Sequence, residues 1–380
     1  EKMIQIFVDC LAVEIPLKYA EKLSGCWDQF QEKYPFLHQN VEADQLVDAP
    51  KSAPILLSDL EDIQQTELQT TNYFACQHFI NKNLDKKISL LYYSTNKSIK
   101  LVFALNHAIS DLVCHINLLN QFVDSLEGKP FTEMPLSSLT ASEIYQKMLQ
   151  NAENKNLYSE GGQFEFATQD QTLNGYRTKN FFIQAEKFQS LITNLRSNKI
   201  SLQAFLLTAD VNAKLSHCSF KGQQIILQSP IDRRAVLQKE NCVGLFVEPF
   251  MVKLAINEFQ KELQTMQLIT QKLKSMKEED FNDFRSMVFV EKQNLVIPVG
   301  TQVSSCGAKT KMYNQEIKDA SFTSGFCIPG FKISFQAMGM HAWELNQGYM
   351  INWSYADNLQ KETVEKIVDA FIAKVEEYAK

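Results

Sequence analysis

The chain has 380 residues, 45% of them hydrophobic and 22% charged, with a formal net charge of −6. That length and composition suit a globular protein with two cores, and the negative balance, without a basic arm or stripe, argues against partners bound through nucleic-acid phosphates. Its eight cysteines form no Cys-x-x-Cys pair and no dense framework, which points to a reducing, cytoplasmic setting. No apolar run reaches the ~20 residues a membrane span needs, and Glu1 to Gln5 do not read as a signal peptide.

Residues 4–11 alternate loosely and predict a strand, after which Pro16 stands where a helix can begin. Leu17, Ala20, Leu23, Trp27 and Phe30 follow at helical spacing, and Tyr34-Pro35 ends the run because the residue before a proline is pushed out of the α region. From there to about residue 70 the text is polar and proline-punctuated, an irregular edge. Three strands are then expected in succession, over 73–80, 88–94 and 99–105. Val113, Ile116, Leu119, Phe122 and Leu126 carry a helix that stops before Gly128 and Pro130.

A polar stretch over 151–175, containing Gly161-Gly162, is the expected linker, and it divides the chain into an N-terminal lobe, 1–165, and a C-terminal lobe, 166–380. Beyond it a strand is expected over 179–184. Ser201 then caps a long helix carrying Leu202, Phe205, Leu206, Ala209, Ala213 and Leu215. Strands follow over 225–228 and 246–254, then an amphipathic helix marked by Phe259, Leu263, Met266, Leu273 and Met276. Strands over 295–303, 331–337 and 349–355 precede a final helix with Val364, Ile367, Phe371, Val375 and Tyr378 on one face. Strands and helices alternate in both halves, so the class is α/β.

One segment stands out. The apolar run Leu101 to Leu105 delivers His107 into a strand-to-helix turn, with Asp111 four positions on. Histidine is the side chain that takes and returns protons near neutrality, and such a turn holds a base rigidly at an opening. Asp111 also reads as an ordinary helix N-cap and His107 as an ordinary turn histidine. His107, Asp111 and His115 are four apart, a metal-site spacing on a continuous helix. A helix starting near Asp111 breaks that face, and no further His or Cys cluster completes a coordination sphere, so no metal is expected.

Asn106-His107-Ala-Ile-Ser-Asp111-Leu112 resembles the His-His-x-x-x-Asp-Gly signature of the chloramphenicol-acetyltransferase-like acyltransferase superfamily. That superfamily includes peptide-synthetase condensation domains, polyketide-associated acyltransferases and alcohol acetyltransferases. The second His and the Asp match, while Asn106 and Leu112 replace the first His and the Gly. The resemblance extends over most of the chain. Leu17 to Leu37 is similar to the early helix, Ser229-Pro230-Ile-Asp-Arg-Arg234 with Val243-Gly244-Leu-Phe246 to the Pro-Val-Asp-x-Arg and Val-Gly-x-Phe segments, and Ser304-Ser-Cys-Gly307 to the Ser-Asn-x-Gly turn. Gly348 to Tyr355 with the helix after it resembles the last strand and helix. The Asp-Phe-Gly-Trp-Gly of the plant branch is missing.

The resemblance implies a two-lobed fold of mixed sheets covered by helices, with a channel between the lobes. It implies that His107 acts as general base in moving an acyl group from a thioester, acyl-CoA or acyl-carrier protein, to a hydroxyl or amine. Asp111 would be structural, paired with Arg234, and Ser304 (or Ser305) would donate to the oxyanion. No cofactor would be permanently bound. An acyl-carrier protein is an implied partner, alongside the small-molecule acceptor; lysines 82, 86, 87, 309 and 311 are candidates to meet the phosphates of either donor, and read equally as ordinary solvated surface. The altered Asn106 and Leu112 motivate an alternative, a catalytically idle relative that binds a carrier protein or another partner. A third reading is a thioester hydrolase.

Overall fold

In the strand Phe7–Pro16 the apolar residues face both ways, and this decides the layout of the first half. In the computed structural model, described over residues 7–42, 45–57, 68–82, 88–106, 110–135, 161–169, 175–237, 242–277, 301–306, 310–326 and 337–380, it lies inside a five-stranded sheet. The order is Asp319–Phe326, Phe7–Pro16, Ser98–Asn106, Ile88–Ser94, Ile55–Leu56. One face is large: Leu11, Val13, Leu101, Phe103 and Leu105 pack against the helices Leu23–Lys33 and Leu112–Leu126. Trp27, fully buried there, meets Phe103 and Phe122 edge-on, each at 5.9 Å between ring centroids. The other face is small. Cys10, Ala12 and Ala104 let the helix Leu68–Lys82 approach closely through Ala75 and Cys76.

That helix corrects the strand expected over 73–80. Tyr73, Phe74, Phe79 and Ile80 look like strand residues singly, but the buried positions Leu68, Thr71, Asn72, Ala75 and Cys76 recur at helical spacing. The period outweighs the propensity of individual residues. Two smaller departures are a short hairpin, Gln39–Glu42 with Gln45–Asp48, within the expected irregular edge, and a 3-10 opening, Leu17–Lys22, to the first helix.

The second sheet runs Val247–Ala255, Gln224–Asp232, Thr301–Ser305, Met338–Leu345, Gly348–Ala356, Tyr176–Gln184, with Lys311–Met312 added beside Met338–Leu345. Parallel pairs link Gln224–Asp232 to Thr301–Ser305 and the latter to Met338–Leu345; the remaining pairs of the main path are antiparallel. The helices Ala185–Ser197, Leu202–His217, Glu262–Lys274 and Lys361–Tyr378 share its core with residues such as Phe205, Trp353 and Phe371. Inside that core Lys214 lies 2.5 Å from Asp210 and donates to Thr301 Oγ1 at 2.8 Å. Thr301 Oγ1 and Trp353 Nε1 in turn donate to Asp210. A charge pair this deep is tolerable because its lone pairs and protons are satisfied.

Two sets of contacts link residues on either side of position 165. Gly162 N–H donates to the Gln224 carbonyl and Gln163–Glu165 pairs with Ser219–Lys221, so the end of the expected linker is fastened to second-half strands. In the other direction, Asp319–Phe326 leaves the second half to pair with Phe7–Pro16 along its length. There Asn352 exchanges hydrogen bonds with the backbone of Phe322, at 2.8 and 2.6 Å, while Asn72 and Asn180 donate to the carbonyls of Ser321 and Ala320. These amides satisfy backbone groups that a sheet crossing between units leaves over. Most of the strand expected over 331–337, the first part of that over 295–303, and most of the linker lie outside the described residues.

Candidate active site

The strand Ser98–Asn106 and the helix Leu112–Leu126 bracket residues 107–111. His107 itself lies outside the described residues, whereas Asp111 is described and almost wholly buried. Asp111 has extended backbone and caps the helix, its Oδ1 accepting the Cys114 amide at 3.0 Å. The same Oδ1 accepts Arg234 Nη2 at 2.9 Å, and Oδ2 accepts the Phe246 amide at 2.9 Å. N-cap and ion-pair partner are therefore one role. A carboxylate holding three donors is structurally committed and has little capacity left for proton transfer or metal binding.

Arg234 is built to receive it. Its Nη1 donates to Asp232 at 3.1 Å, Nη2 also to the Gly244 carbonyl at 3.1 Å, and Nε to the Cys242 carbonyl at 3.4 Å. The guanidinium also sits 4.8 Å over the Phe246 ring. Burial alone would lower the Arg234 pKa, but the charge and hydrogen bond of Asp111, with Asp232 behind it, outweigh that and hold it above its usual value. Gly244 is required by space: a Cβ there would come within 2.7 Å of the Phe246 ring. The two motif segments, Ser229 to Arg234 and Val243 to Phe246, are thus the two halves of one cradle for Asp111.

Two thiols border the pair. Burial, with the Asp111 charge second, pushes Cys114 up to about 12 and raises Cys306 further. Both stay protonated at neutral pH, so neither is a ready nucleophile. The parallel pairing of Thr301–Ser305 with Gln224–Asp232 runs the end of the former toward the Asp232 end of the latter. Ser304 stands one step earlier, half-buried and in register with His341, while Ser305 donates its hydroxyl to Gln203. The structure brings Asp111 and Arg234 into contact; Ser304 is placed on the neighbouring strand end.

Leu112, at the motif's glycine position, is buried in the first core. His115 is fully buried beside Phe322, whose ring lies 4.6 Å from that of His341. Of the three residues spaced four apart, Asp111 is taken up by its three donors and His115 lies within the helix that begins at Leu112, while His107 lies outside the described residues. Among the described residues no group of three or more His, Cys, Asp or Glu side chains is gathered as a metal site. Lys311 lies 3.6 Å from Glu344, the Lys82 side chain is not described, and residues 86, 87 and 309 lie outside the described residues. Sequence reasoning missed the Phe246 amide, the Asp232 carboxylate and Cys306. Asp232, two residues before Arg234, was the one legible signal.

No protein-family model and no curated protein matches this sequence. Solved structures do. The EpoB cyclization-docking bidomain of a nonribosomal peptide synthetase from Sorangium cellulosum superposes with a TM-score of 0.68 at 11% identity, over 98% of this chain and 79% of that one. The epimerization domain from the third module of tyrocidine synthetase B gives 0.60 at 12% identity, over 99% and 93%. Polyketide synthase associated protein 5 from Mycobacterium tuberculosis gives 0.59 at 12%, over 99% and 97%. At such identities the likeness is one of fold: this chain has the two-lobed, chloramphenicol-acetyltransferase-like fold of condensation-type domains. No described helix is long and apolar enough to cross a membrane.

Proposed function

We propose that this chain is an acyltransferase that moves an acyl group from a thioester to a hydroxyl or amine in a channel between its lobes, with His107 as general base. The observation that carries this reading is the buried Asp111–Arg234 pair, 2.9 Å apart, which holds Asp111, four residues after His107, in place. The strand Ser98–Asn106 ends one residue before His107. Fixed residues on both sides are what a base needs, since misplacement by an ångström costs orders of magnitude in rate. His107 would take the acceptor's proton during attack on the thioester carbonyl and return it to the departing thiolate. Ser304 would donate to the carbonyl oxygen as it becomes anionic. Asp111 and Arg234 act as positioning residues.

The fold neighbours favour a thioester carried on phosphopantetheine, of coenzyme A or of a carrier protein, with no resident cofactor. The cysteine pattern favours a cytoplasmic setting. Departures at Asn106 and Leu112 favour the rival reading, a catalytically idle binding module. The test incubates the full chain with a panel of acyl-CoAs and acyl-carrier proteins, with and without alcohols and amines, and follows thiol release and acylated product. Acceptor-dependent release that H107A abolishes, in a protein with unchanged circular dichroism, supports acyl transfer. Release independent of acceptor indicates a hydrolase. Carrier binding without release across the panel overturns the enzyme reading in favour of the binding module.

A further inference from the structure

A cleft of about 380 Å³ opens in the second lobe, where the helices Ala185–Ser197 and Glu262–Lys274 end and Leu202–His217 begins. Its floor is apolar, formed by Ile192, Leu195 and Ile200, and its rim carries Arg196, Lys199 and Lys274. No acidic side chain lines it, and among the described residues none of the three cations has an ion-pair partner. Cations in the last turn of a helix are ordinary complements of its dipole, which accounts for Arg196 and Lys274 taken singly. It does not account for two such ends converging on one cleft beside the positive end of a 16-residue helix.

Lys199 adds an independent observation. It takes φ 60°, the only non-glycine residue with positive φ among those described. Its amide donates to the Arg196 carbonyl and that of Ile200 to the Leu195 carbonyl, the helix-ending pattern in which glycine is the favoured residue at this position. A lysine is held there against its backbone preference, on the rim of a cationic cleft. The cleft walls are fixed as well. Gln267 donates to the Asn198 carbonyl at 2.9 Å, and the Ser201 amide to Thr270 Oγ1 at 2.9 Å, tying the loop 198–201 to the helix Glu262–Lys274.

We propose that this cleft is a binding site for a small organic phosphate ester, with the phosphate held by Arg196, Lys199 and Lys274 and its apolar part lying on Ile192, Leu195 and Ile200. The site shares no residue with the Asp111 cradle, so it stands whether or not the chain transfers acyl groups. Bidentate arginine and flanking lysines match a phosphate's charge and geometry, and the apolar floor distinguishes an ester from the free ion.

The test titrates the full chain with 1-naphthyl phosphate, inorganic phosphate and 1-naphthol, following the methyl resonances of Ile192, Leu195, Ile200 and Leu202. Saturable binding of the naphthyl phosphate is expected, about tenfold tighter than either of the other two, with shifts confined to those methyls. R196Q should weaken it about tenfold, the loss of one charge-assisted contact. K199G serves as the variant that cannot fail by misfolding, since glycine suits the left-handed backbone: it should raise the melting temperature while weakening the naphthyl phosphate about fivefold. Unmoved methyls, naphthol or inorganic phosphate binding as tightly as the ester, or wild-type affinity in both variants would each overturn the proposal.

Discussion

Replacing Asp111 by Ala tests the cradle most directly. The substitution leaves the Arg234 guanidinium, almost wholly buried, without its closest carboxylate, and breaking one side of a buried pair typically costs about 3–5 kcal/mol. The loss is moderated here, because Asp232, about 40% exposed in its side chain, stays on Nη1, and the Cys242 and Gly244 carbonyls stay on Nε and Nη2. Loss of the helix cap adds about 1 kcal/mol, and the Phe246 amide loses its acceptor. These terms overlap, so the sum expected in urea unfolding is about 3 kcal/mol. D111N, which keeps an acceptor oxygen but not the charge, should fall between. Amide hydrogen exchange gives the local signature: the Cys114 and Phe246 amides should lose more protection in D111A than amides in the helix Lys361–Tyr378, which should speed up only as far as the global loss of stability requires. Adding R234M to D111A should recover part of the loss, since the orphaned charge is then gone. A D111A protein within about 0.5 kcal/mol of the parent, with both amides still protected, would refute the account of Asp111 as the keystone of this turn.

Two further outcomes follow from buried charge elsewhere. K214M strands Asp210 in the second core with only Thr301 and Trp353 as donors, and should cost about 3–5 kcal/mol; D210L in the same background should restore much of it, measured by urea unfolding. Asp319, opposite Glu14 across the antiparallel pair, has its carboxyl raised above the usual range, first by burial and then by Glu14. An acid whose folded pKa is raised opposes folding when ionised and ceases to do so once protonated. D319N should therefore stabilise the protein by about 0.5–1 kcal/mol at pH 7, with the gain shrinking as pH falls through the folded pKa toward the unfolded value. A gain that grows on acidification would contradict that sign.

The local grammar of the chain was legible wherever one period ran unbroken. Leu112–Leu126, Leu202–His217 with its Ser201 cap, and Lys361–Tyr378 were readable because a helix buries a stripe whose spacing is written in consecutive residues. The helix Leu68–Lys82 was misread because its buried stripe consists of small and polar residues, Thr71, Asn72, Ala75 and Cys76, while its bulky ones carry strand propensity. The small stripe makes sense only against Cys10, Ala12 and Ala104 on the facing sheet. That information is not in the helix's own text.

The sequence by itself determined the α/β class and the elements that bracket His107, since each is carried by short-range pattern, while the partnership of Asp111 with Arg234 was implied by the family resemblance. Tertiary structure alone decided that Asp319–Phe326 returns to the first sheet, that Asp111 is cap and ion-pair partner at once, and that Phe246 supplies both an amide and a ring to the cradle. The physical reason is range. Helix periods and caps are set by residues within a turn of each other, whereas a buried charge finds its satisfaction among groups more than 100 positions away, and only the packed chain brings those groups to 2.9 Å.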